Sequence, residues 1–159
     1  GSYVPASPAI SGGRAFAGTA AGRLLCVDIA TAKTVWQVGG ESSGSGARSA
    51  GFFSSPAAGA GFVAVGSRDG TIVCLDATTG QTRGTWDAEA AVDGSPVIAG
   101  DAMIVGTMDG RLVVLALADG RQRWSYEIGG SIAGSPAVAA GMVIVGSEDG
   151  SVYAFGGSP

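Results

Sequence analysis

The chain has 159 residues, of which 46% are apolar and only 14% are charged, with 29 glycines and a formal net charge of −4. This length fits one domain, and the high apolar and low charged content excludes a disordered chain. The acidic balance excludes a typical nucleic-acid-binding protein, which carries a basic surface. No apolar run reaches the roughly 18–20 residues of a membrane helix, so we expect no membrane insertion.

Four of the five Ser-Pro pairs, those that begin at residues 7, 55, 95 and 135, divide the chain into similar segments. We place the repeats at about 3–50, 51–90, 91–130 and 131–159, and we expect them to form one domain. A period near 40 residues is typical of propeller blades. The first repeat is longer because it contains a Gly/Ser-rich segment at 39–50. Its composition predicts a flexible surface loop.

Each repeat predicts the same succession of strands. A short apolar run follows Ser-Pro, a second run ends in glycine, and a third run follows a turn. A fourth run carries Trp36, Trp86 or Trp124, and the last repeat ends before this run. The turn before the third run is Asp-Gly at residues 69, 109 and 149, which favours a type I′ hairpin turn. Turns about every ten residues leave no room for ordinary helices, so an all-β fold is predicted.

The residue types that are missing limit the chemistry. The sequence contains no His and no Asn, which excludes a Ser-His-Asp triad, a Cys-His pair and a His-ligated zinc site. We therefore expect no catalytic residue, no cofactor and no metal. Cys26 and Cys74 occupy the same strand position in neighbouring repeats, too far apart for a disulfide, so we predict two buried free thiols.

The stretch SPAVAAGMVIVGSEDGSVYAF, from Ser135, resembles the quinoprotein-type (PQQ-like) β-propeller repeat. The resemblance covers nearly the whole chain. It implies a partial or half propeller of four-stranded antiparallel blades, whose last blade lacks its outer strand. It also implies that Trp36, Trp86 and Trp124 pack between blades, near the Thr-Gly turn of a neighbour. Trp86 lies two residues late in its repeat, and Gly84 occupies the expected place.

Arg68, Met108 and Glu148 precede the three Asp-Gly turns. A position that determines the fold should not vary so much in size and charge, so these residues are candidates for recognition on one propeller face. The alternative is that they are solvated loop residues without a binding role.

The leading functional hypothesis is a non-catalytic binding or scaffold module. It would be a sensor or protein-interaction domain, excised from a larger bacterial protein. The family includes outer-membrane assembly lipoproteins and receptor-kinase ectodomains, so the resemblance favours an extracytoplasmic location. The expected partner is a protein or a second copy of the chain.

Two alternatives remain open. In the first, the chain is a self-assembling half-propeller, which would form an eight-bladed dimer; closure as a four-bladed ring, or within a longer chain, is also open. In the second, the chain is a fragment of a quinone-dependent dehydrogenase. The adjacent cysteines of those enzymes are absent from this sequence.

Overall fold

The computed structural model describes residues 3–39 and 51–156. In these ranges the chain forms four antiparallel sheets of successive strands, three with four strands and the last with three. The first sheet contains β1 (Ala9–Ser11), β2 (Arg14–Gly18), β3 (Arg23–Asp28) and β4 (Thr34–Gly39). The second contains β5 (Ala57–Gly59), β6 (Phe62–Gly66), β7 (Thr71–Asp76) and β8 (Thr82–Asp87). The third contains β9 (Val97–Ala99), β10 (Ala102–Gly106), β11 (Arg111–Ala116) and β12 (Gln122–Glu127). The fourth contains β13 (Ala137–Ala139), β14 (Met142–Gly146) and β15 (Val152–Gly156).

This architecture is a half β-propeller, and it confirms the predicted all-β fold with an incomplete last blade. Each sheet is one blade, and the inner strands β1, β5, β9 and β13 are neighbours in that order. No helix in the two described ranges is long and apolar enough to cross a membrane. The predicted loop at 39–50 lies outside the described residues, except for Gly39 at the end of β4.

The turns between second and third strands differ from the prediction. A type I′ turn requires positive φ at both central residues. In the second blade, Gly70 has a φ of +92°, but Asp69 is not among the residues with positive φ. Instead, the Gly70 N–H donates to the Ser67 carbonyl at 3.1 Å, and the Asp69 carboxylate accepts from the Thr71 N–H at 2.9 Å. Aspartate therefore stabilises this turn through its side chain, and only glycine takes the left-handed backbone.

The hydrophobic core lies between blades rather than inside one blade. Three clusters of buried side chains follow one another along the arc, each containing residues from two adjacent blades. Between the first two blades, for example, Phe16 and Leu24 pack with Val63 and Leu75. A sheet with two apolar faces must bury both faces. The stability of the second and third blades therefore depends on the neighbours on both sides.

One contact recurs at each blade junction. The residue three positions before Ser-Pro, here called the linker residue, packs on the last glycine of the preceding blade's second strand, here called the receiving glycine. A Cβ atom added at that glycine would lie 2.8–3.0 Å from the Cβ of the linker residue, so only glycine fits there. The pairs are Phe52 with Gly18, Val92 with Gly66, and Ile132 with Gly106.

Candidate functional site

The three recognition candidates lie at one end of the blades. Each follows the second strand of its blade and precedes an Asp-Gly turn. The Met108 N–H donates to the Ala91 carbonyl and the Glu148 N–H to the Ser131 carbonyl, both at 2.9 Å. Ala91 and Ser131 occupy equivalent positions in successive linkers, which are the segments between the last strand of one blade and the first strand of the next. Met108 and Glu148 are therefore equivalent in space as well as in sequence. We call this end of the blades the loop face.

Arg68 is held in place on the loop face by two neighbours. Its guanidinium makes a two-point ion pair with the Asp93 carboxylate, at 2.9 and 3.3 Å. It also lies over the Phe53 ring, 4.4 Å from the ring centre. The Arg68 side chain is about half exposed. A planar cation fixed between a ring and a carboxylate loses little conformational entropy when it binds a ligand.

Phe53 and Asp93 were missed by the sequence-based selection of candidates. Both lie two residues before a Ser-Pro pair, so they are equivalent positions in successive linkers. The signal that could have identified them is the same variation that singled out Arg68, since the third equivalent residue is Ala133. Met108 is half-buried, whereas Glu148 is exposed. The loop face thus combines an ordered cation, a thioether and a carboxylate on equivalent positions.

The three tryptophans occupy different environments. The Trp36 indole N–H donates to the Ala77 carbonyl of the next blade at 3.2 Å, and its ring packs on Gly80 of the same turn. Trp86 pairs with Ile72 and is half-buried, whereas Gly84 takes the register position that Trp36 has in the first blade. The backbone at Gly84 lies directly against Asp119 and Gly120 of the third blade.

Trp124 lies at the open side of the fourth blade. It is 40% exposed and makes an edge contact with Phe155, with ring centres 5.3 Å apart. It also stacks on Tyr126 at 6.1 Å. A groove of about 450 Å³ is lined here by Val114, Trp124, Gly141, Val143, Ala154, Phe155 and Gly156. In the first blade the corresponding ring is covered by the turn of the next blade.

The carboxylates in the turns are engaged in hydrogen bonds. The hydrogen bond from Arg83, together with those from the Thr78 and Thr79 backbone, holds the pKa of Asp76 well below its ordinary value. Burial works to raise the pKa of Asp109, but hydrogen bonds from Thr107 and Arg111 outweigh it and leave that pKa lowered. These groups are thus stabilised as anions by neighbours in the same blade.

The described residues contain no group of three or more His, Cys, Asp or Glu side chains arranged to hold a metal ion. An open cleft of about 490 Å³ is lined by Glu89, Asp109, Arg111, Glu127 and Ile128. Within it, the Arg111 guanidinium pairs with the Asp109 carboxylate at 2.8 Å and also donates to the Ala88 carbonyl. The Arg111 side chain of the third blade is therefore bound to the backbone that follows the last strand of the second blade.

Cys26 and Cys74 are buried and unbridged, as the sequence predicts. Burial raises the pKa of the Cys74 thiol to about 11, and it also raises the pKa of Cys26. A thiol with a raised pKa and no access to solvent is a poor nucleophile. The two cysteines therefore act as small core residues.

Solved structures with the same fold include a natural bacterial protein and a designed one. The computationally designed Ika4 protein matches with a TM-score of 0.83 and 19% identity, over 97% of this chain and 91% of its own. BamB from Moraxella catarrhalis matches with a TM-score of 0.83 and 21% identity, over 97% of this chain and 50% of its own. This chain thus spans about half the length of BamB. A search of curated protein sequences finds no significant match.

A more distant match is the quinohemoprotein alcohol dehydrogenase from Comamonas testosteroni, with a TM-score of 0.71 and 16% identity. The match covers 92% of this chain and only 29% of the enzyme. The family model described as outer membrane protein assembly factor BamB matches twice, over residues 2–82 and 68–158. These two matches together cover nearly the whole sequence, so the chain belongs to the BamB-type family of PQQ-like β-propeller repeat proteins.

Proposed function

We propose that this chain is a non-catalytic, protein-binding scaffold module of an extracytoplasmic protein. The proposal rests on the arrangement of side chains on the loop face. There, a constant backbone frame presents Arg68, Met108 and Glu148, which differ in charge and polarity, at equivalent positions. Variation on a rigid frame is the arrangement by which loops on a scaffold achieve specificity. The family description, an outer membrane protein assembly factor, supports a location outside the cytoplasm.

The chemistry of the loop face favours a protein surface as the ligand. Arg68 is fixed by Asp93 and Phe53, so it offers a prepared cation for a carboxylate or a backbone carbonyl. Met108 offers an adaptable apolar contact and Glu148 an anion. A surface of mixed charge with a methionine resembles the composition of protein interfaces, where arginine and methionine are enriched.

Site-specific photocrosslinking tests this proposal. A benzophenone amino acid is placed at position 68, 108 or 148, and the chain is incubated with a bacterial envelope extract. We expect the same discrete adduct from all three positions. The matched control is Arg121, an exposed arginine in the turn after β11, at the opposite end of the blade. Equal adducts from position 121 and the loop face would contradict a specific site there.

A second experiment addresses the enzymatic alternative. The chain is titrated with pyrroloquinoline quinone and calcium while the visible absorbance and the oxidation of a primary alcohol are recorded. A non-catalytic scaffold gives neither a saturable absorbance change nor turnover. Saturable binding with alcohol oxidation would overturn the proposal in favour of a dehydrogenase fragment.

A further inference from the structure

The two ends of the arc carry opposite halves of the same junction. At the end of the fourth blade, Gly146 occupies the position of the receiving glycines Gly66 and Gly106. A Cβ atom added at Gly146 meets no atom of the described residues within 4 Å, whereas the corresponding atom at Gly106 would lie 2.9 Å from the Cβ of Ile132. Among residues 3–39 and 51–156, no linker residue therefore packs on the receiving glycine of the fourth blade.

At the start of the first blade, the situation is reversed. Val4 lies three residues before Ser-Pro, as the linker residues Val92 and Ile132 do. Those two side chains are fully buried, whereas Val4 is 48% exposed. The segment that carries Val4 already makes one hydrogen bond typical of a linker. In it, the Tyr3 carbonyl accepts from the Ala20 N–H at 3.0 Å. That bond corresponds to the bond between Ala91 and Met108.

One further pair repeats the pattern nearer the axis of the arc. In the third blade, Ile98 packs on Gly59 of the second blade, 3.6 Å from the position of an added Cβ. The equivalent residue of the first blade is Ile10, which is 70% exposed, and the equivalent of Gly59 in the fourth blade is Ala139, also exposed.

The serines of the Ser-Pro pairs also join each blade to the next one in the chain. The Ser55 N–H donates to the Ser95 side chain, and the Ser95 N–H donates to the Ser135 side chain, both at 2.9 Å. Each bond therefore joins one blade to the hydroxyl of the next. By repetition, the Ser135 N–H would meet the hydroxyl of a residue equivalent to Ser7.

We propose that a second copy of this chain completes the arc, with Val4 of each copy packed on Gly146 of the other. In the same junction Ile10 packs on Ala139, and the Ser135 N–H donates to the Ser7 hydroxyl. Because each copy carries both halves, two copies related by a two-fold axis form two identical junctions and close a ring of eight blades. This inference uses the ends of the arc and is independent of the loop face, so either can fail alone.

Crosslinking between two single variants tests the contact directly. Val4→Cys and Gly146→Cys chains are prepared separately, mixed and mildly oxidised. We expect a disulfide-linked species of twice the 15.4 kDa chain mass, which disappears on reduction. The native thiols Cys26 and Cys74 are buried and do not compete. The matched control mixes Val4→Cys with Gly129→Cys, since Gly129 is another exposed glycine where an added Cβ meets none of the described atoms within 4 Å. Equal crosslinking in both mixtures would refute the proposal.

Sedimentation of the intact chain gives the second readout. We expect a dimer, and we expect Gly146→Val to raise its dissociation constant by roughly tenfold or more, because the added side chain occupies the space that Val4 needs. Circular dichroism of Gly146→Val should be unchanged, since a Cβ atom added there meets no atom of the described residues within 4 Å. The Gly129→Val control should remain dimeric. A monomer across the micromolar range, a polydisperse series of larger species, or a Gly146→Val dimer of unchanged affinity would each overturn the two-copy ring.

Discussion

The receiving glycines make a quantitative prediction about stability. In Gly106→Ala, the new methyl group would lie 2.9 Å from the Cβ of Ile132 and closer still to its Cγ2, and Ile132 is fully buried. A β-branched side chain cannot swing away, because its branch lies next to the backbone. Overpacking of this kind costs about 1–3 kcal/mol, and the severity of the contact places this site at the upper end. Alanine recovers about 0.5–1 kcal/mol of glycine's backbone entropy cost. We expect a net loss of about 2 kcal/mol.

Urea unfolding followed by tryptophan fluorescence measures this loss. With a slope of about 2 kcal/mol per molar, the midpoint should fall by about 1 M. The matched control, Gly129→Ala, should change the free energy of unfolding by less than about 0.5 kcal/mol, because its added Cβ has no neighbour within 4 Å in the described part of the chain.

A double-mutant cycle tests the stated cause. Ile132→Ala alone leaves a cavity, which the methyl group introduced by Gly106→Ala partly fills in the double variant. We therefore expect the double variant to be more stable than the sum of the two single losses predicts. Strict additivity would refute the steric explanation, and so would a Gly106→Ala variant as stable as the control.

Three further predictions concern tryptophans, acid stability and thiols. Trp36→Ala should lower the free energy of unfolding by about 3 kcal/mol and Trp124→Ala by only about 1 kcal/mol. The reason is that the next blade covers Trp36 and accepts its hydrogen bond. Equal losses in urea titrations would contradict this prediction. The lowered pKa of Asp76 contributes stability above about pH 4, the unfolded value, and this is lost as the pH falls through the folded value. Asp76→Asn should therefore show a smaller drop in the urea midpoint between about pH 5 and pH 2. Cys26 and Cys74 should react with Ellman's reagent at about pH 8 only after unfolding, and rapid labelling of the folded chain would show that the core is open.

The sequence was sufficient to predict the blades, because the apolar runs and turns of each repeat independently predict the same order of strands. The resemblance to the PQQ-like repeat placed Gly84 where a docking tryptophan is expected, and its strand pairing with Cys74, equivalent to that of Trp36 with Cys26, agrees. The turn type was predicted wrongly, because Asp-Gly is compatible with several turns. The turn is defined by hydrogen bonds of the flanking Ser67 and Thr71, which the Asp-Gly pair alone does not specify.

The candidate site was only partly predictable. Arg68 was identified from variation between repeats, and Asp93 and Phe53, which hold it, were not. Asp93 follows Arg68 by 25 residues, and Phe53 precedes it by 15. These distances are not multiples of the repeat, so internal comparison does not pair them. Only the packing of linkers against turns at the blade ends brings the three side chains together.

The contrast between Trp36 and Trp124 shows why the ends of a repeat array need separate treatment. The two residues occupy the same register position, opposite Cys26 and Val114. Trp36 has the Gly80 turn of the next blade over its ring, whereas Trp124 borders a groove and packs mainly on aromatic neighbours. Each repeat buries its surfaces only against neighbours, so a residue's contribution depends on whether the next repeat is present. Gly106 and Gly146 differ for the same reason. An added methyl group is therefore expected to destabilise the fold at the first glycine and to weaken assembly at the second.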